Sequence, residues 1–165
     1  MKLARLLRHL VFPPWWLRVR FPRRTLMAIK EAIRASEQTH RGQIRFAVEA
    51  SLPLPALLRD ITPRRRGLEV FAQLGVWDTE ENNGVLIYVL LADRDVEIVA
   101  DRGIARHVPV QAWQAIARRM ESAFRQGRFE EGALAGIAAV GGLLARHFPA
   151  SGTSANELPD WPLLL

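Results

Sequence analysis

Asn82, Asn83 and Asp101, with Asp78 just upstream, are the residues whose types and spacing best suit chemistry. They sit in or beside the stretch NNGVLIYVLLADRDVEIVADRG, which reads as two strands joined by a short turn. Folding the strands together brings the asparagine pair and Asp101 to one open end. Carboxylates, amides and backbone carbonyls gathered there suit a hard cation such as calcium, which takes about six to eight oxygen ligands. Glu80 and Glu81 are near enough in sequence to join them. The competing reading is structural: Asp78 and the asparagines cap loop backbone, and Asn83–Gly84 turns the chain into the second strand.

Covalent chemistry has little to draw on. There is no cysteine, so disulfides, thiolate metal sites and a thiol nucleophile are excluded. His9, His40, His107 and His147 are scattered, with no metal-ligand spacing between any two. Hydrolysis of a phosphate ester needs a nucleophile or bound metal plus a cationic clamp. Arg102 and Arg106, beside Asp101, are the candidate clamp, against the plainer reading of solvated or acid-paired arginines. His107 precedes Val108–Pro109 and reads as a helix-entry residue rather than a base. Glu49 is a candidate acid at a strand end, with a solvent-facing position as the alternative. No catalytic set follows.

The charge is uneven. Of 23 basic and 17 acidic residues, eight basic and no acidic ones fall in residues 1–30, leaving a body close to neutral. A basic arm therefore precedes the body, and nothing suggests a nucleic-acid surface. Residues 1–21, MKLARLLRHLVFPPWWLRVRF, lack the unbroken apolar core and cleavage site of a secretory signal. No apolar run approaches the roughly 20 residues of a membrane span. Three readings of the arm stand open. Trp15, Trp16, Arg18 and Arg20 contact an anionic membrane surface, since tryptophan favours the headgroup region and arginine favours acidic lipid. Alternatively the leucines and tryptophans pack on the body with arginines in solvent, or the arm meets a membrane-protein or other protein partner. The expected location is cytoplasmic, at the inner membrane surface if lipid is the target.

The elements that must position these residues follow from periodicity. Leu26, Ile29 and Ile33 form one stripe of a helix over about 23–40. QIRFAVEA (43–50), 85–91 and 96–100 read as strands, and a two-residue turn at Asp93–Arg94 pairs Leu86 with Asp101 and Gly84 with Gly103. Thr62–Pro63 starts a helix that carries Leu68, Phe71 and Leu74 inward and stops at Gly75. Its first-turn arginines, 64 to 66, lie at the end of the helix dipole that disfavours cations and read as a solvated face or as a site for an anion or acidic partner. Val110, Trp113, Ala117, Met120 and Phe124 make the buried stripe of another helix. A last helix, 129–147, has Gly132, Gly136 and Gly142 for close approach to a sheet. The middle strand is apolar almost throughout, which calls for cover on both faces. The expected fold is one α/β domain: a small mixed sheet between helices, three layers deep. Residues 1–22 are the arm, 23–148 the domain and 149–165 a loose tail that docks, if at all, through Trp161 and the final leucines.

In order and spacing, GQIRFAVE, NNGVLIYVLLADRDVEIVADRGI and FRQGRFEEGALAGI resemble the TPM domain family in its short bacterial form, over about residues 25–148. The resemblance implies a small sheet sandwiched by helices. It also implies accessory roles around membrane proteins, weak acid phosphatase activity in some members, and calcium near the loops flanking the central strands. Two positions depart from the family pattern: Asn82 and Gln43 stand where acids are expected, which weakens metal binding. The reading is of a non-catalytic accessory or interaction domain, with a weak metal-dependent phosphatase as the alternative.

Overall fold

The computed structural model describes residues 3–152 and 156–165. Lys2, counted with the basic arm, and tail residues 153–155 lie outside them. In chain order the elements are α1 (Leu3–Val11), α2 (Trp15–Arg20), α3 (Arg23–Glu37), β1 (Gln43–Glu49), α4 (Leu54–Leu58), α5 (Pro63–Gln73), β2 (Gly84–Leu90), β3 (Asp95–Ala100), α6 (Arg102–Ala105), α7 (Val110–Arg125), α8 (Phe129–His147) and β4 (Leu163–Leu164).

The sheet runs β3-β2-β1-β4; β1 is parallel to β2 and β4, and β3 is antiparallel to β2. Alternation along the strands splits the core in two. Ile44, Phe46, Val48, Val85, Ile87, Val89, Val96 and Ile98 face one layer, formed by α3, α7 and α8. Ala47, Leu86, Tyr88, Leu90 and Val99 face a thinner layer, where Val70 and Phe71 of α5 and Leu57 of α4 cover them. This is the expected mixed three-layer sandwich.

The hairpin register differs from the expected one by two residues. Val85 pairs with Ala100 and Leu90 with Asp95, so the loop is Leu91–Arg94 rather than two residues. The reason lies on the other neighbour: Leu91 N and Ala92 N donate to Glu49 O and Ala50 O, continuing the β1 ladder past the hairpin. The turn then closes through Arg94 N to Leu91 O, with Arg94 at φ 56°. A shift of two leaves each side chain on its expected face.

Three helix faces also differ. Phe71 turns inward as expected, but Leu68 is exposed and Gly67 and Val70 are buried. Val110 is exposed, while Trp113, Ala117 and Met120 are buried. The glycines of α8 meet helices rather than the sheet: a Cβ at Gly132 would strike Ala123 and Phe124, one at Gly136 Met120, and one at Gly141 Ser36. Gly142 has open space around it.

Polar residues on β1 are buried because the thin layer is completed by polar contacts. Glu49 is buried, not solvent-facing. It accepts from Tyr88 Oη at 2.6 Å and from Arg66 Nε and Nη2 at 2.8 and 3.1 Å. The arginines of α5 therefore do not form one solvated face: Arg66 holds Glu49 and Arg64 donates to Ile98 O. The tail is docked by backbone as well as by leucines. Gln43 Oε1 accepts from Glu157 N and Leu158 N, Arg45 Nη1 donates to Pro159 O and Trp161 O, and β4 pairs with Ala47 and Val48.

Glu37 lies against this clasp, and its Oε1 accepts from Ile44 N at 2.9 Å. Burial, with Asp160 nearby, pushes its carboxyl up to about 8. Asp95 is raised to about 7 by burial and by the Glu97 and Glu121 carboxylates. For an acid whose folded pKa is raised, the folded state holds the proton more tightly than the unfolded one. Stability therefore falls as pH rises from the unfolded value, 4.5 for Glu37, to the folded one, and is level beyond both. Glu37→Gln keeps an acceptor for Ile44 N and cannot ionise. Denaturant unfolding should show wild type and variant close at pH 5, and the variant ahead by about 1–3 kcal/mol at pH 8.5. A variant with the wild-type pH slope would refute the assignment.

Candidate functional site

The expected rim forms where β2 begins and β3 ends. Asp101 N donates to Gly84 O at 2.9 Å, locking the two strands there. Asp101 caps α6, its Oδ1 accepting from Arg102 N at 2.7 Å. Asn83 N donates to Thr79 Oγ1, and its amide nitrogen to Arg41 O at 3.2 Å. Asn82 sits in the left-handed region at φ 52°, which asparagine tolerates. Gly103 faces the Glu81 and Asn82 carbonyls so closely that a Cβ would collide with both. Phe71, Trp77, Asn82, Asp101 and Arg102 line a concavity of about 450 Å³.

Asn83 Oδ1 and Asp101 Oδ2 are buried with no hydrogen-bond partner among the described residues. That is the observation in favour of a cation. Against a closed centre, Asp78 is exposed, and Glu81, which accepts from Asn83 Nδ2 at 3.4 Å, has its charge taken by a bidentate pair with Arg41 at 2.7 and 2.9 Å. Gln43, at a position where the resemblance expects an acid, has its oxygen taken by the tail. No group of three or more His, Cys, Asp or Glu among the described residues is placed to hold a metal. Arg102 lines the same concavity, while Arg106 Nε turns back to Arg102 O. His107 stacks on His147 with ring centroids 5.3 Å apart, a pairing that linear spacing did not reveal.

The arm forms a second candidate site, and its amphipathicity is inverted. In α1, Arg5 and His9 are one turn apart and face the body, with Arg8 beside them. Arg5 grips Asp93 through Nε at 3.0 Å and Nη2 at 2.8 Å, and also donates to Ile61 O at 2.8 Å. Arg8 Nη2 reaches the other carboxylate oxygen at 3.0 Å. His9 is buried: its Nδ1 accepts from Leu52 N at 2.9 Å, so Nε2, 3.0 Å from Asp93, carries the proton. Burial works against ionised Asp93, but the Arg5 and His9 bonds outweigh it and hold its carboxyl below the usual range.

The opposite face of α1 presents Leu3, Leu7, Leu10 and Val11 to solvent, with Leu7 51% and Val11 76% exposed. Pro13–Pro14 ends the helix, and α2 follows with Trp15 62% exposed. Leu17 and Phe21 turn into the core and anchor α2. The packed reading holds in part: Leu6, Leu17 and Phe21 pack on the body, but Arg5 and His9 also turn inward, and Leu3, Leu7, Leu10 and Val11 face out. Arg18 is exposed, and Arg20 lies over the Trp16 and Phe129 rings at 5.0 and 5.1 Å. Sequence reasoning treated Asp93 only as a turn residue. The usable signal was the Arg5, Arg8, His9 spacing, which puts three donors on one helical face.

Fold and rim together define a small α/β domain with a polar loop cluster at one sheet end and a docked helical arm. The TPM domain family model matches residues 21–143, and the chain belongs to that family. It is similar to the BA42 protein of the psychrophilic bacterium Bizionia argentinensis, at 32% identity and TM-score 0.75, over 86% of this chain and 93% of that one. It is also similar to the N-terminal domain of a protein from P. gingivalis, at 26% identity and TM-score 0.56, over 73% and 76% of the two chains. No curated protein matches it. Among the described residues no helix is long and apolar enough to cross a membrane.

Proposed function

We propose that this chain is a non-catalytic accessory domain that attaches to an anionic membrane surface through the outward face of its arm. The observation that carries the reading is α1: a helix latched by Arg5 and His9 to a buried carboxylate, with Leu3, Leu7, Leu10 and Val11 turned to solvent. A helix serving only the core would bury those leucines; one lying in a headgroup layer exposes them to it. Exposed Trp15, Arg18, Arg23 and Arg24 extend the face with the residue types that favour acidic lipid. Each basic side chain near such a surface contributes about 1 kcal/mol. Co-sedimentation with vesicles tests it. Phosphatidylglycerol-containing vesicles should bring the full chain down, less so as salt rises, and phosphatidylcholine vesicles should leave most of it in solution.

The unpartnered oxygens of Asn83 and Asp101 favour a second reading of the rim, as a weak divalent-cation site. Bound there, the cation would neutralise Asp101 and order the Asn82–Asn83 turn. Calcium titration followed by amide shifts should move Asn83, Asp101 and Gly103 at millimolar concentrations, with the response lost in Asp101→Asn. Absence of any shift removes the cation. Phosphate-ester hydrolysis is the alternative activity, and it requires turnover that falls to background in Asp101→Ala.

A further inference from the structure

A cavity of about 300 Å³ lies where the arm meets the hairpin turn and the α7–α8 corner. Four arginines line it, Arg8, Arg20, Arg94 and Arg125, with Phe12 and Trp16 among its aromatic walls. Its one lining carboxylate, Glu121, already accepts from Val96 N at 3.2 Å and lies 3.8 Å from Arg125. Asp93, beside Arg94, is taken up by Arg5, Arg8 and His9. Positive charge is thus in excess along the rim of a partly apolar hollow, where Arg94 is exposed and Arg8 and Arg125 are about half exposed.

The arginines are held in different ways. Arg20 is clamped between the Trp16 and Phe129 rings, and Phe129 is itself stacked on Phe124 with centroids 5.2 Å apart. Arg94 stands at φ 56°, a conformation uncommon outside glycine, asparagine and aspartate. Among the described residues, neither the Arg20 nor the Arg94 guanidinium has a hydrogen-bond or carboxylate partner. Arg8 and Arg20 come from the arm, outside the family-matched segment, and Arg94 and Arg125 from within it. The arm supplies four of its lining residues, Arg8, Phe12, Trp16 and Arg20.

We infer that this cavity binds a phosphate ester carrying an apolar group, with the phosphate on Arg20 and Arg94 and the apolar part along Phe12 and Trp16. Guanidinium forks match phosphate oxygens, and desolvating aromatic walls strengthen the pairing. Trp16, in its wall, meets exposed Trp15 edge to face with centroids 6.1 Å apart, which ties the cavity to the arm assigned above to the membrane. The inference rests on that reading only for the source of the ester: an acidic lipid headgroup or a soluble ester.

The test is NMR of the full chain, following arginine Nε–H resonances. The probes are dihexanoyl phosphatidylglycerol below its micelle concentration, glycerol 3-phosphate and dihexanoyl phosphatidylcholine. The phosphatidylglycerol probe should shift Arg20 and Arg94, and Arg20→Gln with Arg94→Gln should weaken it by at least about tenfold. Zwitterionic lipid should bind far more weakly. Tighter binding of the short-chain lipid than of glycerol 3-phosphate supports the inference; equal affinity, which leaves the apolar walls no part in binding, overturns it. No shift at either arginine with any phosphate probe overturns the cavity, even where vesicles still bind. Shifts without vesicle binding overturn the membrane reading and leave the cavity standing. Retained unfolding stability in the double variant separates lost binding from misfolding.

Discussion

Asp93→Ala is expected to unlatch the arm and to cost about 3–5 kcal/mol of stability. The Asp93 side chain is 7% exposed, forms ion pairs with Arg5 and Arg8, and lies 3.0 Å from His9 Nε2. Removing it leaves the Arg5 guanidinium, itself mostly buried, with only Ile61 O and a 3.8 Å approach to Asp60. His9 keeps its bond to Leu52 N but loses the acceptor for its proton. Breaking one partner of a buried charged cluster is far more damaging than removing a surface pair. Urea unfolding gives the loss in stability, and limited trypsin digestion should show early cutting at Arg5 and Arg8, which the latch otherwise holds. Asp93→Asn, which keeps an acceptor, should fall between. A variant within about 0.5 kcal/mol of wild type would mean that the latch does not hold the arm.

Leu7→Glu combined with Val11→Glu is expected to leave stability nearly unchanged and to weaken binding to phosphatidylglycerol vesicles by about 100-fold or more. Both positions are exposed, so the folded state loses little packing. In a headgroup layer each would bury an apolar side chain, worth about 1.5–3 kcal/mol, and a carboxylate there is also repelled by acidic lipid. The pair together outweighs any single arginine on the face. Unchanged vesicle binding would show that the outward leucines are not the contact.

Much of the fold was legible in the sequence because its signals are local. The stripe Leu26, Ile29, Ile33 and the Thr62–Pro63 cap both appear as helices, Thr62 Oγ1 accepting from Arg65 N. The almost unbroken apolar run of β2 correctly implied a strand covered on both faces. The register was missed because it depends on β1 reaching past the hairpin to Leu91 and Ala92, a contact made across a parallel crossover. Glu49 was misplaced for a similar reason: alternation gives the face of a strand residue, not whether Arg66 waits on that face. At the rim, Asn82 and Asp101 do share one concavity, but Gln43 and Glu81 are committed to the tail and to Arg41. The inverted arm was out of reach, since an amphipathic pattern shows two faces and does not say which one turns inward.

The most direct measurement is depth. The chain has no cysteine, so a single cysteine at Val11 carries a nitroxide without removing a native thiol. On vesicles containing phosphatidylglycerol, the Val11 label should become accessible to oxygen and shielded from a water-soluble nickel relaxant. A label at Thr39, exposed at the end of α3, should stay in water. A Val11 label equally open to the nickel relaxant with and without vesicles would contradict an arm that turns its apolar face to lipid.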